Sequence, residues 1–235
     1  MSFPHYLAMT AAEFSSAQIL PAHIAWMACH FSLYGTGLSN FPPELPDGSM
    51  LIVNDRIPIH GHDPSEIVRQ LQEFVALWKP DGLLLDFQRP DMKETARLAA
   101  LLVTELPCPV GVTAHYAKGL DCPVFLSPPP MHTSLEAYLS AWSGGEIWLE
   151  AALENQCITV TEEGSRITCL PFQPLEEPIF SDPKLHCNYH MDIQSDSAVF
   201  TASRDPTSLI AFLDEAKRLG VTKVIGLYQE LKDIN

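Results

Sequence analysis

Apolar residues along this chain fall into short runs separated by proline, glycine and acidic residues. The runs HIAWMACHFS (23–32), MLIVND (50–55), GLLLDFQ (82–88), PVGVTAHY (109–116), PVFLSP (123–128) and KVIGLYQEL (223–231) show no helical period. Strands covered on both faces read as such continuous apolar stretches. Helical patterns lie between them. Asp63 is placed as an N-cap, Pro64 stands at the first helical position, and Glu66 suits a capping box. Ile67, Leu71, Phe74, Val75 and Trp78 follow at helical spacing until Pro80. Further helices are predicted over about 91–106, starting near Asp91, over about 133–142, and over 205–220 with Asp205 as cap and Gly220 at the end.

Other segments read differently. The stretch 33–49 is rich in glycine and proline and reads as a long loop. EIWLEAAL (146–153) fits strand or helix. CITVT and RITCL (157–170) form a hairpin pattern around Glu162-Glu163-Gly164, taken as a three-residue loop with glycine in the left-handed region. That register sets Cys157 opposite Cys169, as neighbouring free thiols. HCNYHMDI (186–193) and AVFTAS (198–203) are short strand candidates.

Alternating strands and helices imply a parallel sheet. Seven or eight such strands in 235 residues predict a compact (β/α)8 TIM-like barrel. The expected organisation is one domain, 1–235, with a β-hairpin insertion at about 157–170. An open doubly wound sheet is the rival. It usually carries a glycine-rich first turn, and neither GxGxxG nor GxxxxGK[ST] occurs here. No cofactor is therefore expected.

Composition narrows the partners. The 46% apolar and 18% charged content is that of a globular chain. A net charge of -15 without any Lys/Arg cluster disfavours nucleic acid and anionic membrane surfaces. The start MSFPHYLAMTAAEF lacks a signal-peptide pattern, and no apolar run reaches the ~18 residues of a membrane span, so a soluble cytoplasmic protein is expected. The six cysteines show no CxxC spacing.

Barrel sites lie at the carboxyl ends of strands. The polar residues at those ends are His30, Asn54 with Asp55, Asp86 with Gln88, His115 with Tyr116, and Glu150. Tyr189, His190 and Asp192 follow, and then Tyr228, Gln229 and Glu230. Asp86 stands out: an acid after three leucines is costly to half-bury unless it is partnered. Its alternative use is as a cap for the helix starting near Asp91.

DGLLLDFQRP (81–90) resembles the signature of glycoside hydrolase family 18, the chitinase family, in which a D-G pair leads through two acids to an aromatic residue, a catalytic glutamate and a proline. Asp81 and Gly82 match the opening pair, Asp86 the acid beside the catalytic one, Phe87 the aromatic position and Pro90 the proline. The preceding WKPDG and the final GLYQEL also fit. The resemblance implies a barrel that takes a carbohydrate at its carboxyl rim, with Asp86 bonding the ligand and Tyr228 offering a stacking face. It also implies a defect. The family's glutamate protonates the leaving oxygen, and Gln88 stands in that position; a carboxamide has no proton to give near neutral pH. Leu84 replaces the middle aspartate. The expected activity is binding or atypical processing of a sugar, with Glu150 and Glu230 as replacement acids. The competing readings are a metal-dependent hydrolase using His60, His62, His115, His190 and Asp192, and an interaction barrel with no small-molecule site.

Overall fold

The computed structural model describes residues 4–90, 92–142, 144–177 and 179–234. In chain order its elements begin with β1 (His5–Met9), α1 (Ala11–Ser16), β2 (Ile24–Phe31), β3 (Leu38–Ser39), β4 (Met50–Asn54), α2 (Pro64–Trp78) and β5 (Gly82–Asp86). Next come α3 (Lys93–Glu105), β6 (Val110–Thr113), α4 (Ala114–Ala117), β7 (Val124–Leu126), α5 (Leu135–Ser140) and β8 (Ile147–Ala151). The antiparallel strands β9 (Glu154–Thr161), β10 (Gly164–Pro171), β11 (Phe180–Asp182), β12 (Cys187–Ile193) and β13 (Ser197–Arg204) precede α6 (Pro206–Arg218), β14 (Lys223–Leu227) and α7 (Tyr228–Leu231).

The chain forms two compact units. The first holds a closed eight-stranded barrel in the order β1-β2-β4-β5-β6-β7-β8-β14, with β14 returning to β1. The short β3 adds antiparallel to β2, pairing His30 with Ser39, so the predicted long loop contains one small strand. The second unit holds a five-stranded antiparallel sheet in the order β10-β9-β13-β12-β11, together with α5 and α6. Among the described residues no helix is long and apolar enough to cross a membrane.

Local rules explain most boundaries. The Asp63 side chain accepts from the Ser65 amide at 2.9 Å with Pro64 at the first position, and α2 ends on Lys79 in the left-handed region before Pro80. Glu66 closes no capping box; it turns to Arg69 at 2.6 Å, where an ion pair one turn away competes for the carboxylate. Asp205 caps α6 through the Ser208 amide at 2.8 Å. Met92 is the N-cap of α3 and makes no side-chain cap bond; Asp91 lies outside the described residues.

In the barrel, successive strand residues alternate between two cores. Leu83 and Leu85 point outward to the layer shared with α2 and α3, whereas Leu84 joins Tyr6, Ala8, Met50, Ile52, Phe125, Trp148 and Ile225 inside. The fully buried Trp148 ring fills the amino end of the interior, and two glycines make room for it. A Cβ on Gly111 would sit 2.2 Å from the ring, and one on Gly82 would sit 3.0 Å away. Beside the ring, Tyr6 donates to the Asp81 carboxylate at 2.8 Å and the Lys223 ammonium donates to the Asp81 carbonyl at 2.8 Å. Lys223 lies 4.8 Å over the Trp148 ring. Burial pushes the Tyr6 phenol up, reinforced by Asp81, and pushes the Lys223 ammonium down. Asp81, the acid of the opening D-G pair, is thus a structural tie at the amino end of the barrel.

Three expectations change here. The strand His5–Met9 supplies the eighth barrel strand, and 186–193 does not. The latter is β12 of the antiparallel sheet, where Tyr189, His190 and Asp192 pair with β13. The predicted last strand stops at Leu227, and Tyr228, Gln229 and Glu230 turn into α7. The hairpin β9–β10 has a two-residue connection, Glu162-Glu163, with Gly164 already paired to Thr161. Cys157 therefore lies opposite Thr168 and Cys169 opposite Gln156, which puts the two thiols on opposite faces.

Candidate functional site

The carboxyl ends of the barrel strands enclose a pocket of about 610 Å³. Its floor is the upper interior layer, including Ile52, Leu84, Phe125 and Ile225. Two residues further along β4 and β5 the same inward alternation presents Asn54 and Asp86, the final residue of each strand. The pocket wall adds Thr10, His30, Asn40, Arg56, Gln88 and Glu150.

Each polar group is held by its neighbours. The β2 strand bulges between Trp26 and Cys29, and the Asn54 amide donates to the Met27 and Cys29 carbonyls at 3.1 and 2.9 Å. That ties β4 to the bulge and fixes the Asn54 rotamer. His30 places Nδ1 2.7 Å from the Phe31 carbonyl, which can only accept. Its Nε2 therefore accepts from the Asn40 amide at 2.9 Å, so one tautomer satisfies both contacts. Asp55 is buried at 4% exposure and its two oxygens accept from the amides of Gln88 and Arg89, each at 2.9 Å. This clamp sets the direction in which the chain leaves β5.

The clamp brings Gln88 back over the end of its own strand, where its side-chain amide donates to the Asp86 carboxylate. Burial pushes the Asp86 carboxyl above its ordinary range, and the charge of Asp55 adds to that, while the Gln88 bond and the charge of His115 oppose it. Among the described residues Asp86 caps no helix. Phe87, pointing the other way, is fully buried and stacks on Phe31 at 5.8 Å. The stretch 84–88 thus alternates pocket floor, outer core, pocket wall, outer core, pocket wall.

Of the residues expected at the rim, His30, Asn54, Asp55, Asp86, Gln88 and Glu150 line this one pocket. Others do not. Tyr116 is buried on α4, where its hydroxyl donates to the Arg89 carbonyl and accepts from the Met92 amide at 3.1 Å. His115 is exposed on the same helical turn with its ring 4.6 Å from Tyr116, and acts on Asp86 only through charge. Tyr228 packs against the outer core beneath Lys232, and Gln229 and Glu230 on α7 are not part of the pocket wall. The helical turn breaks the in-and-out alternation assumed for them. Tyr189, His190 and Asp192 belong to the sheet of the second unit.

The histidines do not gather. Both nitrogens of His62 contact carbonyls, of Ile59 and Ser32, at 2.8 Å, and His60 is exposed 3.8 Å from Glu94. Among the described residues no group of three or more His, Cys, Asp or Glu is placed to hold a metal. Thr10, Asn40 and Arg56 escaped the sequence reading because they follow β1, β3 and β4 in irregular segments. Leu84 and Ile52 were findable by stepping back two residues from the polar strand ends.

No family model matches the sequence, and no curated protein sequence matches it. Solved structures do match. A glycoside hydrolase family 18 N-acetylglucosaminidase from Paenibacillus barengoltzii gives a TM-score of 0.61 at 12% identity, over 96% of this chain and 94% of that one. A substituted family 18 chitinase from Cycas revoluta in complex with (GlcNAc)4 gives 0.60 at 12% identity, over 98% and 96%. The spore cortex-lytic enzyme SleL of Bacillus cereus gives 0.55 at 10%, over 95% and 70%. The fold is that of solved family 18 glycoside hydrolases.

Proposed function

We propose that the barrel binds a carbohydrate in the pocket at its carboxyl rim and does not cleave it by protonation from residue 88. The observation that carries this reading is the Gln88–Asp86 hydrogen bond inside a 610 Å³ pocket of ligand-site size. The acid position of the resembling motif is filled by an amide whose nitrogen is committed to the neighbouring carboxyl. General acid catalysis is typically worth ~10²–10⁴-fold, so its loss leaves recognition with little turnover by that route. Leu84 closes the floor where the resembling motif carries its middle acid, which removes a second charged partner of Asp86. Asp86, Glu150 and the Asn54 carbonyl oxygen supply ligand acceptors, and Arg56 and the second amide hydrogen of Gln88 supply donors.

Isothermal titration with (GlcNAc)4, the oligosaccharide in one matching structure, tests it. Saturable binding is expected for the native chain, with at least a tenfold loss in Asp86→Ala, and no release of shorter sugars. Binding that ignores Asp86→Ala, or no saturable binding, counts against the pocket assignment. Gln88→Glu should gain measurable hydrolysis; no gain counts against matching residue 88 to the family's acid.

A further inference from the structure

We infer that the carbohydrate taken by the barrel pocket carries a carboxylate, held by the guanidinium of Arg56 at the β4 corner of the rim. This rests on the sugar-binding reading above and names the class of sugar.

Arg56 is the one Lys or Arg among the described residues that line the pocket. Its main chain is pinned from both sides. The Arg56 amide donates to the Asn54 side-chain oxygen at 3.2 Å, and the Arg56 carbonyl accepts from Arg89 Nη2 at 2.9 Å. The second of these contacts brings another guanidinium to the same corner. The Arg56 side chain is not pinned: among the described residues its guanidinium makes no hydrogen bond and no ion pair. That is unexpected in a chain with 29 acidic and 14 basic residues, because two aspartates stand close by. Asp55 is its neighbour in sequence, but both Asp55 oxygens accept backbone amides. Asp86 ends the adjacent strand, but it takes the Gln88 amide, and burial favours its uncharged form. The nearest acids are committed elsewhere, and the cation is left to the pocket.

The pocket is also polarised. In the ring order β1-β2-β4-β5-β6-β7-β8-β14, β4 and β8 are four places apart and face one another across the barrel. Arg56 follows β4 by two residues, and Glu150 lies on β8. A pocket with a cation on one wall and a carboxylate on the opposite wall suits a ligand that is acidic at one edge and hydroxylated at the other. Paired guanidinium N–H groups match the two oxygens of a carboxylate in one plane. Sugar hydroxyls on the far side can donate to Glu150. A phosphate ester, with nearly two negative charges, meets stronger repulsion from Glu150 and Asp86 than a carboxylate does.

Isothermal titration of the full chain with (GlcNAc)4, and with the same tetrasaccharide carboxylated at carbon 6, tests this. The carboxylated sugar is expected to bind about fivefold tighter, the upper range for a solvent-exposed ion pair. The readout is the ratio of the two dissociation constants. Arg56→Gln changes an exposed side chain that makes no bond within the protein, so the fold should persist. It should abolish the preference. Arg97→Gln removes the same unit of charge from the exposed face of α3 and should leave the ratio at its native value. Equal binding of the two sugars by the native chain overturns the inference and leaves the sugar-binding reading standing. A preference that survives Arg56→Gln, or that falls as far in Arg97→Gln, overturns it too. A sulfate ester at the same carbon that binds tighter than the carboxylate overturns the assignment of the anion. No binding of either sugar removes the pocket reading, and the inference with it.

Discussion

Replacing Asp55 probes how the site is held. This carboxylate is buried, and each oxygen accepts one backbone amide, from Gln88 and from Arg89, at 2.9 Å. A buried hydrogen bond to a charged acceptor contributes about 1.5–3 kcal/mol. Gln88 and Arg89 are themselves exposed, so water replaces part of the loss. Asp55→Ala should therefore cost about 2–4 kcal/mol, and Asp55→Asn, which keeps one acceptor oxygen, about half of that. Urea unfolding read by tryptophan fluorescence is suitable, because Trp26, Trp78 and Trp148 all lie in the barrel unit. A second readout comes from charge. Asp55 pushes the Asp86 carboxyl up, so Asp86 should titrate lower in Asp55→Asn, measured by side-chain carboxyl NMR. Equal losses for the alanine and asparagine variants, or a loss under about 1 kcal/mol for alanine, would refute the two-oxygen clamp.

Two further outcomes are expected. Gly111→Ala forces a methyl 2.2 Å from the fully buried Trp148 ring and should destabilise by about 1–3 kcal/mol. Adding Trp148→Leu should recover part of that, and strict additivity in the double-mutant cycle would show that the ring is not the obstacle. Asp86 has a pH signature opposite to that of a salt-bridged acid. Its carboxyl is raised in the folded state, chiefly by burial, so the unfolded chain loses this proton first. Stability from this group is greatest below the ordinary carboxylate value of about 3.9 and falls as pH rises towards the raised value. Asp86→Asn should become more stable relative to the native chain across that range, seen as a growing difference in urea midpoints. A flat difference would remove the burial argument.

How much of this was legible depended on what each residue answers to. The strands β2, β4, β5, β6 and β7 announced themselves because both faces are covered and side-chain character is uniform along them. The caps at Asp63 and Asp205 are local chemistry and were readable as such. His5–Met9 was missed because five residues without a flanking period carry little signal; its place is set by the next strand, β2, and by β14 at the far end of the chain. The segment 186–193 misled because a polar strand end looks the same in a barrel and in an antiparallel sheet. Only its alternation, with Met191 and Ile193 on one face and His190 and Asp192 on the other, argued for a sheet half open to solvent. At the site, Asp86 and Gln88 could be singled out from one ten-residue stretch. The Asp55 clamp could not, because it depends on the register between β4 and β5, which sets Asn54 beside Asp86 and is not written in either strand alone.

The way that ring closes has a consequence for biosynthesis. β1 is laid down early and pairs with β2 at Leu7 and Ile24, but its other edge waits for β14, which pairs His5 with Val224. All five strands of the antiparallel sheet are made before β14 is. While the ribosome is still adding them, the half-built ring presents two bare margins, on β1 and on β8, that can pair with any passing extended chain. The final strand is the keystone, and its long-range pairing makes the last step slow and exposed to misassembly. Cells producing this chain at high rate should need holding chaperones most during the synthesis of residues 154–222, and truncation ahead of Lys223 should yield aggregate rather than a smaller folded protein.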